Sequence, residues 1–369
     1  MPEAHKAQGM DSDVPLVGTV LAVQANFYHV QLEASQDAGQ LFARDSLLCT
    51  RRSRLKKLGQ RVMVGDRVEV AEPDWQGGRG AISGILPRRT ELDRPPVANA
   101  DQVVLVFALA EPTLDPHQLT RFLVKAESTG LRVQLCLSKG DLLAASDRTQ
   151  WEHRLQHWGY TPIVMSVLAG WGIEPLAAVL HNRMTVVSGP SGVGKSSLIN
   201  QLVPQAQLRV AEVSGKLAKG RHTTRHVELF ELPSGGLLAD TPGFNQPELT
   251  CGPEALAACF PEIRHLLQQA TCQFSDCLHR DEPGCAVRGD WERYPDYLLL
   301  LEDAIAHQTA IAQTADDEAV LKAKSASRGR QTYEPKLATK KYRRTSRRTQ
   351  QQELQVLRDE EEEQLIDLD

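Results

Sequence analysis

The chain has 369 residues, of which 41% are hydrophobic and 24% are charged, and its formal net charge is −5. This is an ordinary globular composition, with length for two or three domains. No run reaches the ~20 apolar residues of a membrane span, so we expect a cytoplasmic protein that does not contact a membrane. The charge is uneven, because residues 322–348 hold eleven Lys and Arg against one acid, whereas residues 349–369 hold eight acids against one Arg. Such opposed blocks are typical of solvated tails.

The first part of the chain has the pattern of a small β-barrel. Residues 1–14 are polar and predict a flexible N-terminus. Residues 15–87 contain short apolar runs separated by turn residues, which predict strands at 17–23, 27–32, 61–64, 67–70 and 80–85. About five such strands favour a barrel of the OB type. The basic stretch 51–57, with Arg61, would suit oligonucleotide binding, although a solvated charged loop is an equally good interpretation.

A proline-containing linker, 88–98, is predicted before the pattern changes to alternating strands and helices over residues 99–250. Predicted strands lie at 103–109, 133–137, 163–166 and 184–188, predicted helices at 117–128, 148–158 and 173–180, and a predicted hairpin at 227–232 and 237–240. This order indicates a mostly parallel sheet with helices on both faces.

A phosphate-binding loop follows the predicted strand 184–188. The motif G-x-x-x-x-G-K-[ST] is matched by Gly189, Pro190, Ser191, Gly192, Val193, Gly194, Lys195 and Ser196, and Ser197 continues into the next helix. Glycines let the backbone N–H groups cradle phosphates at a helix N-terminus. Lys195 would reach the β- and γ-phosphates, and the Ser196 hydroxyl would ligate Mg²⁺. The alternative is a glycine turn that closes a strand–helix corner without a ligand.

Two further stretches suit a nucleoside triphosphate with its metal. Asp240 begins the sequence Asp-Thr-Pro-Gly after an apolar strand. It would reach Mg²⁺ through water, and the N–H of Gly243 would sense the γ-phosphate. Upstream, Thr224 is the predicted second hydroxyl ligand of Mg²⁺, with Thr223 as the alternative.

Base recognition is predicted at the ends of two other strands. The first carries Ser138, Lys139, Gly140 and Asp141, and the second carries Ser166. The Asp141 carboxylate could accept two hydrogen bonds from the N1–H and N2–H₂ groups of guanine, which adenine lacks. Lys139 would lie over the ring, and the loop at Ser166 would offer a backbone N–H to O6. The sequence therefore predicts a guanine nucleotide.

A cluster of metal-ligand residues marks a third domain, predicted at 251–315 with a helix at 297–313. Its candidate ligands are Cys272, Cys277, His279 and Cys285. Three thiolates and an imidazole form a closed tetrahedral set for one structural Zn²⁺. The alternative is three cysteines buried as small apolar residues beside an incidental histidine. Residues 316–369 are low in apolar residues and predict a disordered tail, basic and then acidic.

These motifs resemble those of a GTPase in permuted order, since the base-reading segments precede the phosphate loop. A barrel, a circularly permuted P-loop GTPase domain and a zinc module together resemble the ribosome small-subunit-dependent GTPase family, over residues 15–310. The resemblance implies an α/β P-loop domain between an N-terminal OB barrel and a small helical zinc domain. It implies a monomer that hydrolyses GTP to GDP and phosphate with Mg²⁺. It also implies stimulation by the small ribosomal subunit, and a role as a late maturation or checkpoint factor that binds rRNA.

Four residues depart from the family pattern. Ser138 replaces the usual Asn, and Val167 replaces the more common Ala, so we expect guanine selectivity with weaker affinity. Gly192 stands where potassium-dependent relatives carry Asn, which argues against potassium activation. Phe244 follows the Asp-Thr-Pro-Gly motif where other GTPases carry a water-orienting Gln, so we expect slow turnover without the subunit. An RNA-binding scaffold that uses GTP only as a conformational ligand is the alternative function, whereas Asp141 disfavours an adenine-nucleotide kinase.

Overall fold

A computed structural model describes residues 16–33, 46–93, 95–206, 227–240, 249, 251–318, 321–326 and 330–335. The chain divides into two units, Met1–Ile305 and Ala306–Asp369. The strands of the first unit are β1 (Leu16–Gln24), β2 (Phe27–Leu32), β3 (Ser46–Arg51), β4 (Arg67–Asp74), β5 (Arg79–Ile85), β6 (Glu91–Asp93), β7 (Pro96–Ala98), β8 (Gln102–Ala108), β9 (Arg132–Ser138), β10 (Ile163–Val164), β11 (Met184–Ser188), β12 (Glu228–Glu231) and β13 (Leu237–Asp240). Its helices are α1 (Ser53–Lys57), α2 (Pro116–Glu127), α3 (Ala145–His157), α4 (Ile173–Leu180), α5 (Lys195–Leu202), α6 (Pro253–Leu256) and α7 (Pro261–Gln269). Helix α8 (Tyr294–Glu318) begins in the first unit and ends in the second.

The first five strands form the predicted barrel. Their order is β1-β2-β3-β5-β4, and β1 also pairs with β4, which closes the sheet. Strands β3 and β5 run parallel, whereas the other barrel pairs are antiparallel. Alternate residues fill the interior, where Val20, Val30, Cys49, Val68 and Ile82 are fully buried. The barrel expected from the short apolar runs is therefore confirmed.

One predicted barrel strand does not form, and a strand that the sequence pattern does not indicate is present instead. Residues 61–64 form no strand; Val64 makes only an isolated bridge to Val97. The next two residues bond back to β1, since Gly65 N–H donates to Val20 O at 2.8 Å and Val20 N–H donates to Asp66 O at 2.9 Å. The strand that the prediction missed is β3, because Leu48, at 42% exposure, places an apolar residue on the outer face and obscures the alternation.

The second part of the unit is the predicted parallel sheet. Its order is β10-β9-β8-β11-β13, all parallel, followed by β12, which is antiparallel to β13. Every residue of β8 and β11 is buried, since helices cover both faces. Leu119 and Phe122 of α2 lie in the core on one side, and Leu176 of α4 and Ile199 of α5 lie in the core on the other. Strands β8, β9 and β10, which precede the phosphate loop in sequence, thus lie on one side of β11, and β13, which follows the loop, lies on the other.

The barrel and the parallel sheet are continuous. Strand β1 pairs antiparallel with β12, with Ala22 opposite Glu228. A register shift in β1 between Val20 and Ala22 accompanies the placement of Leu21 in the core of the parallel sheet rather than in the barrel. The segment predicted as a linker, 88–98, holds the short antiparallel pair β6–β7.

The helical module after residue 251 packs on the parallel-sheet domain around a buried arginine. Arg293 is 1% exposed, and its Nε donates to Glu262 at 2.7 Å. Its guanidinium lies 4.7 Å from the centre of the Trp158 ring and 5.0 Å from that of Phe260. Because Trp158 follows α3 whereas Glu262 and Phe260 belong to the module, this cation stabilises the junction through its charge and its stacked faces.

The second unit differs from the predicted tail. Helix α8 continues to Glu318, beyond the predicted end at 313, and β14 (Leu321–Ala326) pairs antiparallel with β15 (Arg330–Pro335). The lysines at 322 and 324 alternate with small or apolar residues, a period that a strand can follow. Residues 336–369, with most of the charge blocks, lie outside the described residues. Among the helices that the structure describes, none combines the length and apolarity needed to cross a bilayer.

Candidate nucleotide and metal sites

The phosphate loop joins β11 to α5 through three glycines with positive φ. Gly189 has φ +144°, and a Cβ there would lie 2.0 Å from Val106 O, so only glycine fits beside β8. Gly194, at φ +93°, is the N-cap of α5. Lys195 Nζ donates to the carbonyls of Gly189 at 2.8 Å and Pro190 at 2.6 Å, which holds the ammonium group against the loop. Ser196 and Ser197 lie in the first turn of α5, where free N–H groups favour an anion.

Ser138 connects this loop to the base-reading strand. Its hydroxyl is buried and donates to Val193 O at 2.6 Å, with Phe107 O as a second acceptor at 3.2 Å. The contact crosses β8, which separates β9 from β11 by two strand spacings, roughly 10 Å. Although Ser138 stands where the family usually has Asn, its side chain makes a hydrogen bond to the phosphate loop.

The turn after β9 carries the predicted base-reading residues. Lys139 adopts a left-handed conformation, φ +56°, which costs a non-glycine residue about 1 kcal/mol. Its ammonium group donates to Glu111 O. Residues Gly140–Leu142 form a 3₁₀ turn in which Gly140 is buried and Asp141 is exposed. The exposed carboxylate belongs to a turn that backbone contacts hold in place, so it can accept hydrogen bonds from a bound molecule.

The second base-reading loop lies against the first. Gly140 N–H donates to Met165 O at 3.0 Å. Ser166 is fully buried; its hydroxyl accepts from Ala169 N–H at 3.0 Å, and its own N–H donates to Trp171 O at 3.0 Å. Ser166 therefore shapes the loop, and an N–H for a bound base would come from a following residue.

The switch residues are only partly described. Asp240 ends β13, and its backbone pairs with Val187 of β11, two residues before the phosphate loop begins. The predicted Mg²⁺ ligand Thr224 and its alternative Thr223 lie outside the described residues. So do Gly243, predicted to contact the γ-phosphate, and Phe244.

The four predicted metal ligands come together. Their ligand atoms all lie within 4.8 Å of one another, and each of the three sulfurs, from Cys272, Cys277 and Cys285, is 3.5 Å from His279 Nδ1. A tetrahedral zinc with bonds of ~2.3 Å to sulfur and ~2.0 Å to nitrogen separates the two ligand types by roughly 3.5 Å. Burial lowers the pKa of His279, which favours the neutral imidazole that binds metal. The donor set thus fits one tetrahedral metal ion.

The surroundings of the cluster fix its ligands. The backbone N–H groups of Ala286 and Val287 lie 3.4 Å from the sulfurs of Cys272 and Cys285, respectively, as donors to thiolates do. His279 has a left-handed backbone, φ +59°, and its carbonyl accepts from Tyr294 Oη at 2.9 Å. This outer layer orients the ligands and supports a structural rather than a catalytic role.

The other cysteines that the structure describes do not form such a cluster. Cys49 and Cys136 are fully buried, and burial raises their pKa values to about 11 and about 12, so their thiols stay protonated and inert. Cys259 is also buried, whereas Cys251 is half-buried.

Comparisons with known proteins agree with this architecture. The family model described as RsgA GTPase matches residues 85–250. The small ribosomal subunit biogenesis GTPase RsgA of Trichormus variabilis is 62% identical over 362 residues, covering 94% of this chain and 98% of the relative. The counterpart from Microcystis aeruginosa is 56% identical, covering 92% of this chain and 93% of the relative.

Solved structures give the same result. YjeQ from Thermotoga maritima matches with a TM-score of 0.66 and 30% identity, over 79% of this chain and 99% of that one. YloQ, described as a circularly permuted GTPase, matches with a TM-score of 0.66 and 30% identity, over 82% of this chain and 99% of that one. The order of the motifs in this chain, with the base-reading segments before the phosphate loop, agrees with the description of YloQ as circularly permuted. The chain therefore belongs to the RsgA GTPase family and is a GTP hydrolase.

Proposed function

We propose that this protein hydrolyses GTP between the phosphate loop and the base-reading turns, and that it acts in maturation of the small ribosomal subunit. The observation that supports the site is the 2.6 Å bond from Ser138 to Val193 O, because it joins the base-reading strand to the phosphate loop across β8. The printed names of the relatives support the ribosomal role. This partner implies a cytoplasmic protein, and we expect a monomer.

Each residue of the site has a proposed task. The N–H groups of the phosphate loop bind the β- and γ-phosphates, and Lys195 offsets the charge that develops during transfer. Asp141 accepts hydrogen bonds from the guanine edge, and Lys139 covers the ring. The residues that would hold Mg²⁺ are Ser196, Thr224 and Asp240, and the ion would neutralise phosphate charge. The N–H of Gly243 would contact the γ-phosphate.

Turnover is proposed to depend on the subunit. An apolar side chain at Phe244 cannot polarise water, so a conventional water-orienting amide is missing from that position. The test is the steady-state rate of phosphate release, with GTP and with ATP, with and without purified small ribosomal subunits. We expect at least tenfold stimulation with GTP, no activity with ATP, and loss of activity in Lys195→Ala. Equal rates with and without subunits would refute the dependence, and binding of GTP without hydrolysis under every condition would favour the scaffold alternative.

The barrel carries a surface that suits rRNA. In α1, Leu55 is buried and anchors the helix, so Arg54, Lys56 and Lys57 are exposed. These three cations have no ion pair within the part of the chain that the structure describes. Cations of this kind bind nucleic-acid phosphates and release counterions.

An outer face of the same barrel offers stacking groups. Phe27 is 50% exposed on β2, and its neighbours on the face are His29 and Leu48, which are opposite each other in register. Arg79 of β5 lies beside Leu48 and is exposed. OB barrels bind unpaired bases on the face of strands 2 and 3, so we propose that rRNA contacts this face and α1.

The rRNA contact is tested with a triple variant, Arg54→Ala, Lys56→Ala and Lys57→Ala, measured for subunit binding across a salt series. We expect weaker binding and a shallower dependence of log K on log salt, because fewer counterions are released. Arg132→Ala, an exposed arginine on β9, is the matched control. An unchanged salt slope in the triple variant would exclude α1 from the contact.

The Cys/His cluster is proposed to hold one Zn²⁺ with a structural role. Its short loops carry little apolar core of their own, so the ion would stabilise the fold of residues 272–288. Metal analysis of the purified protein is expected to give one zinc per chain.

A further inference from the structure

Arg148 of α3 reaches back over the base-reading turn. Its Nη1 donates to Gly140 O at 2.9 Å and to Leu143 O at 3.0 Å. These two carbonyls lie on either side of Asp141. One guanidinium nitrogen therefore fixes both ends of the short segment that carries the carboxylate, a geometry that a rigid planar donor suits better than a flexible amine.

Trp171 holds the same turn from the other base-reading loop. The Arg148 guanidinium lies 5.4 Å from the centre of the Trp171 ring, so the cation packs against the indole face. The ring also lies against Gly140, where an added Cβ would be 2.6 Å from Trp171 Cη2. The indole thus fills the space that the missing side chain leaves.

Trp171 is itself fixed to Ser166 of the second base-reading loop. The two residues exchange backbone hydrogen bonds, with Ser166 N–H donating at 3.0 Å and Trp171 N–H donating at 3.2 Å. Gly140 N–H completes the connection through Met165 O. Arg148 and Trp171 consequently hold the turn that carries Asp141 against the loop at Ser166, although neither residue belongs to a base-reading motif.

We propose that Arg148 and Trp171 are positioning residues that hold Asp141 at the distance needed to accept the guanine N1–H and N2–H₂ groups. This inference rests on the proposed guanine site. A carboxylate discriminates between bases only when its oxygens are fixed relative to the donors, because a displaced acceptor loses both bonds. Removal of the contacts made by Arg148 or Trp171 therefore lowers selectivity for guanine and leaves the phosphate contacts intact.

The test compares GDP with IDP, which lacks the 2-amino group of guanine. Equilibrium dissociation constants are measured for the wild type, Arg148→Gln, Arg148→Lys, Trp171→Leu and the control Arg132→Gln. We expect Arg148→Gln and Trp171→Leu to weaken GDP about tenfold and IDP by less than threefold, with the turnover number at saturating GTP unchanged within twofold. Arg148→Lys keeps the cation over the indole and one hydrogen bond, and is expected to restore part of the GDP preference.

Asp141→Ala distinguishes a failure of the proposed guanine site from a failure of the positioning role alone. In that background Arg148→Gln is expected to add less than a twofold loss for either nucleotide. If Asp141→Ala shows no loss of GDP preference, the guanine site itself is wrong. If Asp141→Ala loses the preference while Arg148→Gln and Trp171→Leu keep it, or weaken GDP and IDP equally, the positioning role alone is refuted. Thermal melts of each variant identify a general loss of fold, which would lower both affinities together and count against the proposal.

Discussion

Replacing Ser138 with alanine removes the hydroxyl that joins the base-reading strand to the phosphate loop. The side chain is 2% exposed, and its bond to Val193 O is 2.6 Å long. Deletion of one partner of a buried hydrogen bond costs about 1–3 kcal/mol, because the remaining acceptor stays desolvated. Val193 is 1% exposed, so water has little access to its carbonyl. We expect a total cost of about 2 kcal/mol, near the middle of that range.

The free-energy cost of Ser138→Ala lowers either the stability of the fold or the affinity for GDP, depending on when the phosphate loop becomes ordered. If GDP orders the loop, about 2 kcal/mol corresponds to a roughly thirtyfold higher dissociation constant. If the loop is ordered beforehand, the melting temperature falls instead, by ~2–4 °C per kcal/mol for a domain of 150–250 residues. GDP titration and thermal melts of Ser138→Ala measure both parts. Ser138→Thr keeps the hydroxyl, and Thr149→Ala removes an exposed one as a control. Unchanged affinity together with an unchanged melting temperature would refute the reasoning.

Three further perturbations have defined outcomes. Leu21→Ala is expected to cost about 2–4 kcal/mol by guanidinium denaturation, because the side chain is 8% exposed in the core shared by β1 and the parallel sheet; a cost below about 1 kcal/mol would contradict that packing. Cys285→Ser should remove zinc by metal analysis and lower the melting temperature, and retention of a full equivalent would exclude this ligand. Hydrogen bonding to Asp296 raises the pKa of His117, so the pair stabilises the fold below about pH 6.5 and loses this contribution as the pH rises through the folded pKa. Since His117 is largely exposed, His117→Gln should remove under about 1 kcal/mol at pH 6 and nothing at pH 9, and an equal loss at both would refute the ion pair.

The sequence alone was sufficient wherever chemistry depends on residues close together in the chain. The spacing of Gly189, Gly194 and Lys195 predicts a phosphate loop, because the loop and the following helix form one local turn. The four metal ligands fall within fourteen positions, so their meeting required only a short chain reversal. The burial of β8 was likewise readable from the continuous apolar run 103–109.

Tertiary structure alone decided how distant segments meet. The hydroxyl of Ser138 contacts the carbonyl of Val193 because β9 and β11 both run parallel to β8 and end at the same edge of the sheet. Arg148 and Trp171 hold one turn although 23 positions separate them. A pattern along the chain records which side chains are apolar or charged, but it does not record which strands become neighbours. Strand β3 was missed for the same reason, since its exposed Leu48 is acceptable only on the outer face of a closed barrel. Local geometry is encoded residue by residue, whereas pairing across the sheet depends on the whole fold.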